Sequence, residues 1–197
     1  MSDPETLAVY AAKAEEYAAI TGDHNKTDPI LAAFIASLPP KAHVLDLGCG
    51  PGDSAAAMAA AGLRVHAVDA VPEMIALAAR HKGVAAQLAT FDQITGTDIY
   101  DGIWANYSLL HAARADLPDI LSALHTALRA NGRLHIAMKT GTDSARDRLG
   151  RKYTYVTEDE LRGLLGAAGF TVTKKQTGRD KGLDGTYADW IALGADG

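Results

Sequence analysis

Short apolar runs alternate with stretches of helical period along most of the chain. Apolar-rich runs of six or seven residues at 42–47, 64–69, 84–89, 101–106 and 132–138 read as buried strands. Between them, the spacing predicts helices near 53–62, 72–81 and 113–129. In the last of these, Leu117, Ile120, Leu121, Leu124 and Leu128 fall at i, i+3, i+4, i+7 and i+11, one face of a helix, and Asn131-Gly132 marks its stop. A further helix starts at Thr157, whose spacing to Glu160 is that of a capping box. Its apolar face is Leu161, Leu164, Leu165 and Ala168, and Gly169 closes it. Two more strands are expected near 170–176 and 186–193. Ahead of the first strand, Leu7, Tyr10, Ala11, Ala14 and Tyr17 share one helical face, and Ile30, Leu31, Phe34 and Ile35 form a second that ends at Pro39-Pro40. The longest segment without an apolar pattern, 140–151, reads as a loop. Strand–helix alternation of this kind predicts a doubly wound α/β fold, a parallel sheet with helices on both faces.

Bulk properties narrow the function. A chain of 197 residues suits one domain with a sizeable core, and a formal net charge of −5 argues against a surface built to neutralise a phosphate backbone. Nucleic acid is therefore not an expected partner. The lone cysteine, Cys49, excludes an internal disulfide and fits a reducing compartment. The polar, acidic start carries no signal-peptide pattern, and no stretch approaches the roughly 20 apolar residues that span a bilayer. A cytoplasmic protein that does not enter membranes is expected.

The chemistry gathers where the first strand ends. The segment His43-Val44-Leu45-Asp46-Leu47-Gly48-Cys49-Gly50-Pro51-Gly52 runs from an apolar strand through an acid into three alternate glycines, and an Ala-rich helix follows. Such a turn brings bare backbone N–H groups against a nucleotide. Ligands of open parallel sheets bind at the carboxyl ends of the strands, so the polar residues there are candidates. Asp69 lies 21 residues after Gly48, a spacing that suits an acid accepting from both ribose hydroxyls. It also precedes a helix and can cap it. Asp46 discriminates between nucleotides. An acid two residues ahead of the first glycine repels a pyrophosphate and suits a cationic ligand, and Gly48, Gly50 and Gly52 give G-x-G-x-G, not the dinucleotide spacing. A ligand with adenosine, ribose and a cationic amino-acid end satisfies both acids, and S-adenosyl-L-methionine is such a ligand. Asp92 is placed to accept from the adenine amino group.

These residues closely resemble the class I S-adenosylmethionine-dependent methyltransferases of small-molecule type, through 44–52, 65–74, 89–93, 100–111 and 128–139 in order. The resemblance implies a Rossmann-like seven-stranded sheet of order 3-2-1-4-5-7-6 with the last strand antiparallel. It further implies a single domain over 1–197, in which a helical lid (1–40) folds over the cofactor held by a core at 41–197. The cofactor residues it implies are Tyr10, Tyr17, Asp46, Gly48, Cys49, Gly50, Asp69, Ala70, Met74, Asp92, Gln93, Asn106 and Tyr107. The product would be S-adenosyl-L-homocysteine. The segment 150–155 resembles a small-molecule subgroup, which fixes no substrate.

Methyl transfer from a sulfonium is an SN2 displacement in which the protein chiefly positions the nucleophile and excludes water. A hydroxyl or carbon acid also needs a base. His111, five residues past the fourth strand, is the candidate catalytic base, and a wall residue packed on the cofactor is the alternative. His66, His81, His125 and His135 read as structural or solvent-facing, and His24 has no assigned place. Tyr153 and Tyr155 alternate as on a strand beside Arg151, a possible acceptor pocket with Arg151 or Arg146 meeting an anion; a solvated arginine loop is the plainer reading. Cys49 reads as a small turn residue and not a nucleophile. No His/Cys/carboxylate set has metal-ligand spacing, so no metal is implied. The competing functions are a non-catalytic S-adenosylmethionine-binding protein and a protein methyltransferase; an NAD-dependent oxidoreductase is opposed by Asp46. Oligomeric state leaves no mark on the sequence.

Overall fold

The computed structural model describes residues 3–21 and 28–197. His24 lies outside the described residues. The strands are β1 (His43–Leu47), β2 (Arg64–Asp69), β3 (Val84–Leu88), β4 (Tyr100–Asn106), β5 (Leu128–Lys139), β6 (Ser144–Arg146), β7 (Lys152–Thr154), β8 (Thr171–Lys181) and β9 (Tyr187–Asp196). The helices are α1 (Pro4–Ala12), α2 (Ala14–Thr21), α3 (Pro29–Ala36), α4 (Asp53–Ala60), α5 (Pro72–Ala78), α6 (Leu117–Ala127) and α7 (Glu158–Ala167). Seven strands form one sheet in the order β3-β2-β1-β4-β5-β9-β8. Counted within the sheet alone, this is 3-2-1-4-5-7-6. All pairings from β3 to β5 are parallel, and β9 runs antiparallel to both β5 and β8. None of the helices among the described residues is long and apolar enough to cross a membrane.

Side-chain alternation explains why helices cover both faces. Leu45 and Leu47 of β1 and Ile103 and Ala105 of β4 pack with Leu117, Leu121 and Leu124 of α6 and Leu161 and Leu165 of α7. The intervening Val44 and Trp104 pack with Leu31 and Phe34 of α3 and with Ala55 and Met58 of α4. Asp46 has the parity of Val44 and stands level with Ala67 and Trp104 in the sheet, so a carboxylate enters this second apolar layer.

Several elements differ from the sequence pattern. The expected 113–129 helix is shorter: residues Arg114–Asp116 form a 3-10 turn, and the chain leaves the helix at Leu128 to begin β5. Asn131-Gly132 therefore lies inside the strand instead of ending a helix. The face shared by Tyr10 and Tyr17 is carried by two helices, broken at Lys13. Residues 140–151 are not a plain loop, because Ser144–Arg146 pairs antiparallel with Lys152–Thr154. That hairpin is fastened to α1. Arg146 donates to both oxygens of Asp3 at 2.8 Å, holding its carboxyl well below the usual range, and the Lys152 N–H donates to Thr6 Oγ1 at 2.8 Å.

Candidate functional site

A cleft open to solvent lies at the carboxyl ends of β1, β2 and β4 under α1 and α2. Of the residues singled out from sequence, Tyr10, Tyr17, Gly48, Gly50, Asp69, Ala70, Met74, Asn106, Tyr107 and His111 line it. Thr6, Leu7, Val71, Phe91 and Ser108 line it as well and were missed. Leu7 carried a signal, since it shares a helical face with Tyr10; Ser108 carried none.

The glycine turn is specified by the backbone and by Ser108. Gly48 (φ +70°) and Gly50 (φ +54°) occupy the left-handed region that favours glycine, and a Cβ on Gly48 would overlap the Cβ of Ser108. Asp69 ties this turn to the next strand: Oδ2 accepts the Gly50 N–H and Oδ1 the Val71 N–H, both at 2.9 Å. The Val71 bond closes a turn just ahead of α5, whose N-cap is Val71 and carries no side-chain cap, so the helix-capping role expected of Asp69 is not taken up. Both oxygens keep lone pairs for a ligand, and burial pushes the carboxyl upward while these N–H groups oppose it.

Asp46 does not line the cleft. It lies behind the glycine turn, 2 % exposed, with Oδ2 lacking a partner. Burial pushes its pKa up to about 8; the Asp69 and Asp53 charges add to the rise and the Ala55 N–H opposes it. Ser108 Oγ, on the cleft wall, is likewise buried and unpartnered. Two unsatisfied polar atoms beside one glycine turn mark a place for a ligand's polar end. Cys49 also lies behind the wall, its thiol pushed up by burial, which suits a small turn residue and not a nucleophile.

Asp92 and Gln93 are corrected outward. They are exposed in a 3-10 turn, Phe91–Gln93, where the Gln93 side chain accepts the Thr90 N–H at 2.9 Å. Phe91 lines the cleft in their place. The tightness of the 3-10 turn is what rotates the two polar side chains away.

The other end of the cleft is a saturated network. His111 Nδ1 lies 2.8 Å from the Lys152 carbonyl, which can only accept, so Nδ1 bears the proton and Nε2 accepts from the Tyr10 hydroxyl at 2.9 Å. The Tyr10 oxygen in turn accepts from Arg151 at 3.0 Å. Burial pushes the His111 pKa down to about 4, and it stands neutral with both nitrogens engaged. Arg151 is not solvated: it is 2 % exposed and pairs with Asp147 at 2.6 Å. Arg151, Tyr153 and Tyr155 stand behind Tyr10 and His111, outside the cleft lining. Of the histidines read as structural, His135 is buried, stacks on Trp104 at 3.8 Å, and holds Asn106 Oδ1 at 3.0 Å. His66 bridges the Tyr100 hydroxyl and Gln87. Tyr17 stands over Gly50 from α2.

A family model described as a methyltransferase domain matches residues 15–175. The ubiquinone/menaquinone biosynthesis C-methyltransferase UbiE of Rubrivivax gelatinosus is 35% identical over 105 residues, covering 51% of this chain and 41% of that protein. The chain thus spans about two fifths of the length of this curated relative. A Burkholderia thailandensis 1,6-didemethyltoxoflavin-N1-methyltransferase, solved with 1,6-didemethyltoxoflavin and S-adenosylhomocysteine, is 27% identical with a TM-score of 0.71 over 100% of this chain and 91% of that one. A SAM-dependent methyltransferase from Methanosarcina mazei superposes with a TM-score of 0.75 at 18% identity, over 86% of this chain and 97% of that one, and shows the shared fold.

Proposed function

The chain belongs to the methyltransferase-domain family, and from that premise we propose that it transfers the methyl group of S-adenosylmethionine to a small-molecule acceptor. One observation carries the reading: an acid stands on each side of the glycine turn, and one of them, Asp46, has a buried oxygen with no partner. Such a turn is a poor seat for pyrophosphate and a good one for a ligand with a cationic end.

The residues present fit the cofactor. Asp69 would accept from the ribose hydroxyls. Phe91, Ala70, Val71 and Met74 offer an apolar seat for the adenine. Gly48, Gly50 and Ser108 would hold the amino-acid end, with Asp46 supplying the negative field behind them. A cationic end there draws the Asp46 proton off and leaves a carboxylate. When bound, S-adenosylmethionine supplies an already activated methyl group. This chain's share is then to bind, to orient and to exclude water. Tyr10 and Tyr17 close the cleft from the lid, and Asn106 and Tyr107 form its floor at the end of β4. Positioning of this kind contributes roughly 7–11 kcal/mol to such reactions. His111 serves as a fixed wall, since both of its nitrogens are occupied.

The same reading makes α1 and α2, within the 1–40 segment expected as the lid, the cover of a single domain whose core is 41–197, while α3 packs on the sheet; it assigns the protein to the cytoplasm without nucleic-acid partners. The bound ligands in the Burkholderia relative, a small heterocycle and S-adenosylhomocysteine, support the small-molecule class. Calorimetry with S-adenosylhomocysteine and with NAD, followed by a labelled-methyl screen of metabolites, tests it. Binding of the first ligand alone, with label transferred to a metabolite, is expected. A folded protein that binds neither ligand overturns the reading, and binding without transfer to any acceptor leaves a non-catalytic binding protein.

A further inference from the structure

We propose that the cleft takes purine nucleoside donors substituted on the 6-amino group as readily as the plain adenosyl form, selecting its donor at the ribose and the amino-acid end and leaving the base edge unread. This rests on the cleft being the methyl-donor site.

The first support is where the acids stand. Asp69 ends β2 and faces the cleft, each oxygen accepting one N–H and keeping lone pairs for ribose hydroxyls. The sequence pattern assigns the next acid outward, Asp92, to the adenine amino group. Its carboxyl is exposed on the 3-10 turn Phe91–Gln93 and stands outside the cleft lining. The neighbouring polar side chains are used within that turn. Thr90 Oγ1 accepts the Gln93 N–H, and Gln93 Oε1 accepts the Thr90 N–H at 2.9 Å. This capping box closes the turn on itself, and Phe91 is the side chain it leaves in the cleft.

The second support is the lining beyond Asp69. Leu7 of α1, Ala70, Val71, Met74 of α5 and Phe91 form it, all of them apolar. Val71 and Met74 are buried in one cluster, and Leu7 packs against it from the lid. A slot of this kind holds the two faces of a flat ring by contact and stacking. These side chains offer the ring's edge no hydrogen bond. A site built to hydrogen-bond a ligand group strongly rejects the analogue lacking that group, because its own polar atoms are left unpaired. An apolar slot has no such atoms to leave.

The third support is what lies past the base. β3 is the edge strand of the sheet, beside β2. Asp69 stands in register with Leu88, the last residue of β3, and Leu88 is exposed. A nucleoside held by its ribose at Asp69 and laid along Phe91 therefore directs its base toward the open edge of the sheet, past an exposed turn. A substituent on the amino nitrogen meets water there, and an unsubstituted amino group keeps its hydration.

The test is calorimetry on the full chain with three ligands: S-adenosylhomocysteine, its 6-dimethylamino analogue, which has lost both amino donors, and its 2′-deoxy analogue. The dimethylamino analogue is expected to bind within about threefold of S-adenosylhomocysteine, and the 2′-deoxy analogue about tenfold more weakly. Asp92→Ala should leave S-adenosylhomocysteine affinity within about threefold of the parent's. A larger loss with the dimethylamino analogue overturns the proposal, because a group or a wall then reads the 6-position. A larger loss in Asp92→Ala overturns it too, because Asp92 then turns inward to meet the amino group. Full affinity for the 2′-deoxy analogue, or failure of S-adenosylhomocysteine itself to bind, overturns the donor-site reading instead.

Discussion

Asp46 and Asp69 stand on the neighbouring strands β1 and β2 and do different work. Asp69 binds the glycine turn through two N–H bonds and faces the cleft. Its replacement by alanine frees two backbone donors and removes the ribose partner, and hydrogen bonds to charged groups contribute about 1.5–3 kcal/mol each. Asp69→Ala should therefore weaken S-adenosylmethionine binding by about 2–4 kcal/mol in calorimetry; unchanged affinity in a folded variant removes the ribose assignment. Asp46 acts on stability. Its folded pKa of about 8 lies above its ordinary value of 3.8, so its stabilising share is complete below about pH 4 and is lost as pH rises to about 8. Asp46→Asn does not titrate. The ligand-free variant should gain stability on the parent between pH 5 and 8, by at most about 1.4 kcal/mol per pH unit, in urea unfolding. A pH-independent difference between the two shows that Asp46 is not the buried acid described. The positions of these acids about the glycine turn were legible because each follows an apolar strand at a fixed offset from the glycines. Asp92 was not, because a 3-10 turn of three residues decides its direction, and Ser108 was not, because its importance lies in a contact with Gly48 from a distant strand end.

At the level of elements, apolar periodicity located the sheet and α6, whose Leu121 and Leu124 are fully buried. It failed where contacts distant in sequence fold the chain. The β6–β7 hairpin has strands of three residues each and no apolar run; it is held by α1, through Asp3–Arg146, Thr6–Lys152 and Tyr10–Arg151. Arg151 looked solvated because nothing local marks its burial, and Asp147 at i−4 is what makes that burial tolerable. Tyr10 is the pin between lid and hairpin. Tyr10→Phe removes the hydroxyl that His111 and Arg151 share, and leaving such buried partners unsatisfied costs about 1–3 kcal/mol. Because α1 and α2 cover the cleft, the loss should appear as faster release of S-adenosylhomocysteine, about tenfold or more in stopped flow. An unchanged release rate means that the lid does not gate the site.

Across the whole molecule, the cleft is where separately packed layers meet. The lid residues Ala14, Tyr10 and Tyr17 share a small cluster with Met74 and Leu77 of α5, apart from the two larger layers on either side of the sheet. The lid's own apolar burial is thus modest, and much of what fastens it crosses the cleft rim. A ligand touching β1, β2, β4 and the lid at once joins these layers, and its binding energy adds to the stability of them all. Ligand at 100 times its dissociation constant stabilises the bound fold by about 2.7 kcal/mol. For a domain of this size each kcal/mol raises the melting temperature by about 2–4 °C. S-adenosylhomocysteine at that excess should therefore raise it by about 5–11 °C in calorimetry. NAD should give no shift, because the Asp69 carboxylate faces the cleft and the G-x-G-x-G turn lacks the dinucleotide spacing. Asp46→Asn offers the control: it removes the group that a bound cationic end would ionise. The variant should show a smaller shift with S-adenosylhomocysteine than the parent. A full-sized shift in the variant would detach Asp46 from the ligand and leave Asp69 as the residue that selects it.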